Sequence, residues 1–278
     1  MLNQLQFRRR EARVAQALEA DVIQYEVADH VAYLWLNRPH KRNCVSAQLM
    51  QELGEAIDRA EEDPEVRVMV LRGRGNTFCS GYDLDELQEE FLSRSAAIEV
   101  AYKSAHFCDK IFNARKPSVA VLEGYTTAGG FEIMINCDFA IAAEDALIGD
   151  FHIRRALFGG AGPIYRLPRI LGLRKAKELM LTGKLLTGRE AYEWDLVNDC
   201  APPAELDACV SRFVADLVDK SPFTMWITKM AINKGLDADQ GSLMVMEHFA
   251  TGVAMNSNDA AEGVAAFLGK RDPVWTGT

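Results

Sequence analysis

Hydrophobic and polar positions follow two different patterns along the chain. In the first half, short β-branched runs bounded by polar or turn-forming residues predict buried strands. These predicted strands are residues 22–27, 31–37, 66–72, 118–122 and 139–143, and the predicted helices between them are 46–62 and 96–112. Strands that alternate with helices indicate an α/β protein.

After about residue 163, strand patterns nearly disappear and helical periodicity dominates. The predicted helices there are residues 164–171, 174–182, 188–194, 203–219, 224–233, 241–255 and 259–268. We therefore predict three parts: an N-terminal helical extension over residues 1–20, an α/β core over 21–205, and a helical C-terminal region over 206–278.

Composition narrows the class of protein. The chain has 278 residues, 49% of them hydrophobic, which is enough for a large core, and its net charge of −9 argues against a nucleic-acid binder. No apolar run reaches the roughly 18 residues that span a bilayer, so we expect no membrane partner. The six cysteines include no closely spaced pair, which predicts neither a metal site nor disulfides and favours the cytoplasm.

One stretch combines features of an anion site and an acid/base group. The predicted strand 118–122 is followed by Gly129 and Gly130 and then by an apolar helical run that contains Glu132. A buried helix N-terminus presents free N–H groups to a developing negative charge. A glutamate among apolar neighbours is costly to bury without a partner, so Glu132 is either paired or functional.

Two further stretches carry candidate chemistry. Residues 76–84 have the small residues, glycine and aspartate of a tight turn with exposed N–H groups, although an ordinary loop capped by Asp83 fits as well. Residues 148–155 place Asp150 two positions before His152. If the pair lies on a strand, both side chains share one face. His152 would then suit proton transfer near neutral pH, or it is a structural histidine.

Several motifs occur in register and together resemble the crotonase (enoyl-CoA hydratase/isomerase) superfamily over about residues 20–275. They are Leu36–Pro39, Phe78–Leu84, Gly124–Glu132, Gly160–Gly162, Leu181–Gly183, Trp194–Asn198 and Glu262–Arg271. The resemblance implies a spiral of ββα repeats with a helical C-terminal trimerisation region, assembled as a homotrimer or a hexamer. It also implies an acyl-CoA substrate, with no tightly bound cofactor and coenzyme A present only as part of the thioester.

The resemblance also implies roles for individual residues. The backbone N–H groups of Tyr82 and Gly129 would bind the thioester oxygen as an oxyanion hole. Lys41 and Arg42 would hold the CoA nucleotide. Lys270 or Arg271 would reach the CoA phosphates of a neighbouring subunit, and the alternative is that both are ordinary surface charges.

The same resemblance places the acyl pocket along residues 84–112. The substrate-binding candidates in and next to that stretch are Asp83, Leu84, Leu87, Tyr102 and His106. Because several of them are bulky, a cyclic or aromatic-like acyl group is conceivable. His106 has an alternative interpretation as a helix-surface residue.

The reaction depends on what faces Glu132. In the typical hydratases that this sequence resembles, two glutamates hold one water; Glu132 matches the first, and the second falls on His152. Our leading hypothesis is hydration of a 2-enoyl-CoA. The alternatives are double-bond isomerisation, carbon–carbon hydrolysis (retro-Claisen) with Glu132, His152 and Asp150, and a catalytically silent CoA-binding protein.

Overall fold

Two sheets form the centre of the protein in the computed structural model, which describes residues 21–90 and 94–278. The strands are β1 Ile23–Ala28, β2 Val31–Leu36, β3 Val68–Gly73, β4 Ser118–Leu122, β5 Tyr125–Thr127, β6 Phe139–Ala143, β7 Leu147–Gly149, β8 Leu186–Thr187 and β9 Asp199–Ala201. The larger sheet has the order β1-β2-β3-β4-β6-β9, and the smaller sheet has the order β5-β7-β8.

Helices surround these sheets and make up most of the chain after β9, as far as Gly269. They are α1 Ala47–Glu62, α2 Leu84–Glu90, α3 Arg94–Asn113, α4 Gly129–Asn136, α5 Pro163–Thr182, α6 Gly188–Glu193, α7 Leu206–Val218, α8 Pro222–Gly235, α9 Gln240–Met255 and α10 Asn258–Gly269. Short 3-10 helices lie at Pro39–Lys41, His152–Arg155 and Pro203–Glu205. The predicted N-terminal helix over residues 1–20 lies outside the described residues.

The chain repeats one structural unit, in which a strand of the larger sheet is followed by a strand of the smaller sheet and a helix. β4, β5 and α4 form one such unit, and β6, β7 and α5 form the next. The units are parallel to each other, since β4 pairs with β6 and β5 pairs with β7 in parallel register. This arrangement agrees with the predicted spiral of ββα repeats.

Helix α1 shows how the hydrophobic pattern builds the core. Leu49, Leu53 and Ile57 recur at a spacing of four residues and are fully buried. Each such side chain contributes about 1.5–3 kcal/mol when it is removed from water. Ser46 caps the helix by accepting a hydrogen bond from the N–H of Leu49 at 3.1 Å. The predicted helix over 46–62 is confirmed.

Short elements were the ones that the pattern did not predict. Strands of two or three residues, such as β8 and β9, are too short to show alternation, so the expectation that strands nearly end by residue 163 was incomplete. The two helices predicted over 164–171 and 174–182 are confirmed as the two halves of α5. Its backbone is bent at Gly172, where φ is 74° and ψ is 163°, which accounts for the gap in the pattern.

Among the last four helices, α7 and α9 differ in how much they bury. α7 packs on the larger sheet and buries Leu206, Cys209, Val210 and Val214. In contrast, α9 buries no residue and exposes apolar side chains that include Phe249. The domain boundary at residue 205 remains a prediction, but α7 shares the main core. In the described parts of the chain, no helix has the length and apolar character needed to cross a bilayer.

Candidate active site

The N-terminal end of α4 is buried beneath a neighbouring loop. All eight residues of α4 are buried. A Cβ atom on Gly130 would lie 2.2 Å from the carbonyl oxygen of Cys79, and one on Gly129 would lie 2.7 Å from the ring of Tyr82. Both contacts are closer than a side chain tolerates. The glycine pair is therefore needed because loop 79–82 crosses directly over the start of the helix.

This loop runs alongside β5 and is fixed to it by hydrogen bonds. The N–H of Thr127 donates to Cys79 O at 3.0 Å, and its hydroxyl donates to Ser80 O at 2.9 Å. Within the described residues, neither the N–H of Tyr82 nor that of Gly129 donates a hydrogen bond to another protein group. The structure thus brings two unpaired backbone donors, both predicted from the sequence, onto adjoining segments.

Glu132 lies in the first turn of α4 and is only 1% exposed. Its two oxygens have separate partners: Oε2 accepts a hydrogen bond from the Tyr82 hydroxyl at 3.0 Å, and Oε1 accepts one from the N–H of Ala161 at 3.0 Å. Burial raises the pKa of Glu132 above its usual value, although the charge of His152 and these two hydrogen bonds oppose the shift. Such a carboxylate is suited to accepting a proton nearer to neutral pH.

His152 and Asp150 meet by a different route from the one we predicted. β7 ends at Gly149, Phe151 has a φ of 60°, and His152 begins a 3-10 helix, so the pair does not share a strand face. Instead the turn brings His152 Nδ1 to 3.0 Å from Asp150 Oδ1, with both residues buried.

The surroundings of His152 affect its protonation in opposing ways. Burial by itself lowers its pKa, but the hydrogen bond that its Nδ1–H donates to Asp150 and the charges of Glu132 and Asp150 leave the pKa of His152 raised overall. His152 and Glu132 therefore lie within electrostatic reach of each other. With Nδ1 engaged by Asp150, the other ring nitrogen of His152 is the one left for a substrate or water.

The glycine-rich loop before α5 completes this surface. A Cβ atom on Gly159 would lie 2.7 Å from Asp150 Oδ1 and 2.9 Å from His152 Nδ1, so this loop passes directly against the pair. Asn136, one turn after Glu132, donates from Nδ2 to Ala161 O and to Glu132 O, each at 2.8 Å. Asn136 thereby holds the Ala161 N–H next to the Glu132 carboxylate.

Sequence reasoning missed three of these contributors: the hydroxyl of Tyr82, the amide of Asn136 and the close approach of Gly159. A weak signal existed for two of them. Asn136 follows Glu132 at the i+4 spacing of one helical face, and Gly159 opens a run of glycines. No signal existed for the Tyr82 hydroxyl, because its contact with Glu132 joins residues that are fifty positions apart.

The predicted nucleotide-binding loop is held by ion pairs. Asp83 is buried, and its Oδ2 accepts from Arg38 and from Lys41, each at 2.9 Å; Lys41 also lies 3.1 Å from Asp85. Burial opposes ionisation, but the hydrogen bonds from Lys41 and Arg38 hold the pKa of Asp83 below its usual range. Arg42 stacks on Tyr125 with its guanidinium carbon 5.3 Å from the ring centroid.

The residues predicted to line the acyl pocket divide into two sets. Leu84 and Leu87 lie on α2 directly after Asp83, with Leu84 exposed and Leu87 half-buried. Tyr102 and His106 pack on each other on an exposed face of α3, with ring centroids 3.9 Å apart. That face is about 200° around the helix from Ser104.

Ser104 and Cys108 form the buried face of α3, and both interact with the side chain of Tyr82. Cys108 also interacts with Glu132. The structure therefore does not bring Tyr102 and His106 to Glu132, and it supports the surface interpretation of His106.

Lys270 lies outside this arrangement. It follows the last turn of α10 with a φ of 50°, and it makes no ion pair with the described residues. Its neighbour Arg271 is paired with Glu262 at 2.6 Å. Among the described residues, no group of three or more His, Cys, Asp or Glu side chains is placed to hold a metal ion.

A cavity of about 810 Å³ lies at the opposite end of α4 from Glu132. It is bounded by Ile135 and Cys137 at the end of α4 and by side chains of α5, α8 and α10, including Lys229. Neither Glu132 nor His152 lines it. This cavity is thus separate from the candidate site.

Comparison with known proteins agrees with the geometry. The profile of the enoyl-CoA hydratase/isomerase family matches residues 26–278. The chain is 33% identical over 252 residues to the mitochondrial enoyl-CoA hydratase domain-containing protein 2 of Homo sapiens, covering 89% of this chain and 86% of that protein. It is 31% identical over 247 residues to the crotonyl-CoA hydratase of Syntrophomonas wolfei, covering 88% and 94%.

A solved structure gives the same result for the fold. The enoyl-CoA hydratase of Bacillus anthracis superposes with a TM-score of 0.88 at 31% identity, over 92% of this chain and 99% of that one. The predicted α/β spiral is therefore confirmed, and the chain belongs to the enoyl-CoA hydratase/isomerase family of the crotonase superfamily.

Proposed function

We propose that the protein hydrates 2-enoyl-CoA thioesters, or catalyses the reverse dehydration. The observation that carries this proposal is the position of Glu132, a buried carboxylate fixed by two neutral donors beside the unpaired N–H groups of Tyr82 and Gly129. Those N–H groups would accept the thioester oxygen and stabilise the enolate. Each such donor typically lowers the barrier by about 3 kcal/mol.

The proton transfers follow from the two groups that face each other. Glu132 takes a proton from water as the water oxygen attacks the β-carbon, and the electron pair of the double bond moves onto the thioester oxygen. His152, held by Asp150, then donates a proton to the α-carbon as the enolate collapses. Return of a proton from Glu132 to His152, directly or through solvent, restores the resting site.

Substrate binding involves the loop around Asp83. Lys41 and Arg42 would contact the CoA nucleotide, with Lys41 exchanging part of its pairing with Asp83 and Asp85 for phosphate oxygens. Leu84 and Leu87 would border the acyl group. Tyr102 and His106 lie on the other face of α3, so we assign them no role in this pocket.

Assembly as a homotrimer or a hexamer is part of the proposal. α9 and α10 expose Met244, Phe249 and Phe267, and large apolar side chains exposed in this way favour burial against another subunit. Lys270 at the end of α10 would then approach the CoA of a neighbour. Sedimentation of the full chain measures the assembly, and a monomer at micromolar concentration would contradict it.

One observation favours a second candidate. The buried His152–Asp150 pair resembles the arrangement that activates water against a carbonyl group, which would support carbon–carbon hydrolysis of a cyclic or β-oxo acyl-CoA. Isomerisation by Glu132 alone is the third possibility. Mass analysis separates the three, because hydration adds one water, isomerisation leaves the mass unchanged, and hydrolysis adds water while cleaving a carbon–carbon bond.

The decisive assay uses crotonyl-CoA and a panel of branched and cyclic enoyl-CoAs. We expect the mass of one added water with crotonyl-CoA and no release of free CoA thiol. Full turnover by a Glu132→Gln variant would remove the basis of the proposal.

The six cysteines are all free, so we further propose a reducing compartment such as the cytoplasm.

A further inference from the structure

Tyr82 takes part in the candidate site through both its main chain and its side chain. Its N–H is one of the two unpaired backbone donors, and its hydroxyl reaches Glu132 on the other side of the site. Between these two points the ring lies against Gly129, where an added Cβ would be 2.7 Å from Cε2 and 3.2 Å from Cζ. One residue thus spans from the proposed oxyanion hole to the proposed base.

We propose that Tyr82 is a positioning residue for Glu132 and that its ring restricts the α-carbon of the acyl group to hydrogen as a substituent. This inference rests on the proposed hydration function. It concerns the side chain of Tyr82, whereas the proposed function uses only the backbone N–H.

The positioning role follows from the hydrogen bonds of the carboxylate. Tyr82 holds Oε2 and the Ala161 N–H holds Oε1, so the plane of the Glu132 carboxyl group is fixed at both oxygens. Without the phenol, only one oxygen remains anchored. A buried carboxylate that loses a donor is also easier to protonate, and a protonated Glu132 cannot accept a proton from water.

The titration of Glu132 depends on every group that faces it. Tyr82 and Cys108 approach it from the loop before α2 and from α3, and His152 and Asp150 approach it from the turn after β7. Burial and the charge of Glu132 raise the pKa of Tyr82 well above its usual value, so the phenol stays protonated and acts as a donor. Of these four groups, Tyr82 is the one that hydrogen-bonds the carboxylate directly.

The selectivity role follows from where the reacting atoms must lie. The thioester oxygen would sit at the Gly129 N–H and the β-carbon near Glu132, which places the α-carbon between them. The Tyr82 ring lies against Gly129, and its hydroxyl reaches Glu132. A methyl group on the α-carbon would meet a ring that is fixed at its hydroxyl end.

Replacement of Tyr82 by Phe tests positioning, with Tyr33→Phe as the matched control on β2. In Tyr82→Phe we expect kcat for crotonyl-CoA to fall about tenfold with little change in KM, because a charge-assisted hydrogen bond is lost. The acidic limb of the kcat/KM profile should also move to higher pH. The control should keep wild-type values, and a wild-type pH profile in Tyr82→Phe would overturn the positioning role.

Replacement by Ala tests selectivity. We expect the kcat/KM ratio of 2-methylcrotonyl-CoA to crotonyl-CoA to rise about tenfold in Tyr82→Ala and to stay unchanged in Tyr82→Phe, which keeps the ring. An unchanged ratio in Tyr82→Ala would overturn the selectivity role. If circular dichroism shows that this variant does not fold, Tyr82→Leu gives a smaller increase or contradicts the role in the same way.

A measurement without substrate separates this inference from the proposed function. In the full chain labelled with ¹³C at the glutamate carboxyl groups, the signal that disappears in Glu132→Gln belongs to Glu132. Its titration should move to higher pH in Tyr82→Phe and not in Tyr33→Phe. If the wild type converts no enoyl-CoA, the hydration function is wrong, and this titration still decides whether Tyr82 controls Glu132.

Discussion

The two ends of helix α4 carry carboxylates that are held in different ways, Glu132 fully buried and Asp138 largely buried. Among the described residues, Glu132 in the first turn accepts hydrogen bonds only from neutral donors, the Tyr82 hydroxyl and the Ala161 N–H. Asp138, just past the last turn, accepts from the N–H and hydroxyl of Ser118 at 2.8 and 2.9 Å and from Lys229 Nζ at 2.7 Å. Burial raises the pKa of both carboxyl groups.

The two carboxylates differ in whether a permanently charged side chain neutralises them. Asp138 forms an ion pair with Lys229 of α8 and joins that helix to the start of β4, so its negative charge is balanced by a structural contact. In the part of the chain that the structure describes, no cation contacts Glu132 directly, and the nearby positive charge would come from His152, which can gain or lose a proton. The comparison predicts that Asp138 serves stability and that Glu132 serves chemistry.

The largest expected effect concerns Glu132, at the N-terminal end of α4. Glu132→Gln keeps the size of the side chain and removes its basicity, so we expect hydration of crotonyl-CoA to fall about 10³-fold, which is about 4 kcal/mol in the barrier. Its free energy of unfolding should change by less than about 1 kcal/mol. Steady-state kinetics and thermal unfolding measure the two quantities, and a large loss of stability would erase the distinction from Asp138.

The next effect concerns Asp138, just past the C-terminal end of α4. Asp138→Asn leaves Lys229 charged and buried, which should lower the free energy of unfolding by about 3 kcal/mol in chemical denaturation. The double variant Asp138→Asn/Lys229→Met should recover part of that loss, because no unpaired charge remains. Specific activity of the folded protein should be nearly unchanged, and a 10³-fold loss there would contradict the comparison.

A smaller effect concerns the partner that faces Glu132. Gly159→Ala places a Cβ against both Asp150 and His152 and should separate them, so we expect turnover to fall roughly tenfold through misplacement of the histidine. Gly160→Ala is the matched control, since its added Cβ would come no closer than 4.0 Å to other atoms. Equal activity of the two variants would show that the His152–Asp150 contact is not needed.

The smallest effect concerns stability as a function of pH. The pKa of Glu132 is raised in the folded protein, so its contribution to stability is present below the unfolded value, near pH 4, and is lost as the pH rises through the folded value. Glutamine has no such loss. Thermal unfolding should therefore show Glu132→Gln gaining on the wild type as the pH rises, and a pH-independent difference would be inconsistent with a raised pKa.

The sequence predicted the elements that extend over several residues and missed contacts between distant ones. β4 and β6 matched their predicted bounds because continuous buried runs mark both ends, and Ser46 marked the start of α1. The Gly129–Gly130 pair was identified in the sequence as the start of a possible anion site. The Tyr82 ring that lies against Gly129 was not predicted, because its position depends on how a loop and a helix pack rather than on either segment alone.

The candidate site shows the same limit. Proximity of Asp150 and His152 was predicted on the assumption of a strand, and the contact forms through a turn at Phe151 instead. A spacing of two residues allows both geometries, so the sequence could not choose between them. The roles of Glu132, His152 and the backbone donors remain predictions that the variants above test.

The main-chain donor at Ala161 has a consequence for saturation mutagenesis. Nineteen of the twenty amino acids keep a backbone N–H, so a library at this position separates the need for the donor from the need for a small side chain. Glycine retains the donor and empties the space of one methyl group, whereas proline deletes the donor altogether. A fitness profile that tolerates glycine and rejects proline would show that function depends on the backbone N–H at this position and not on the side chain.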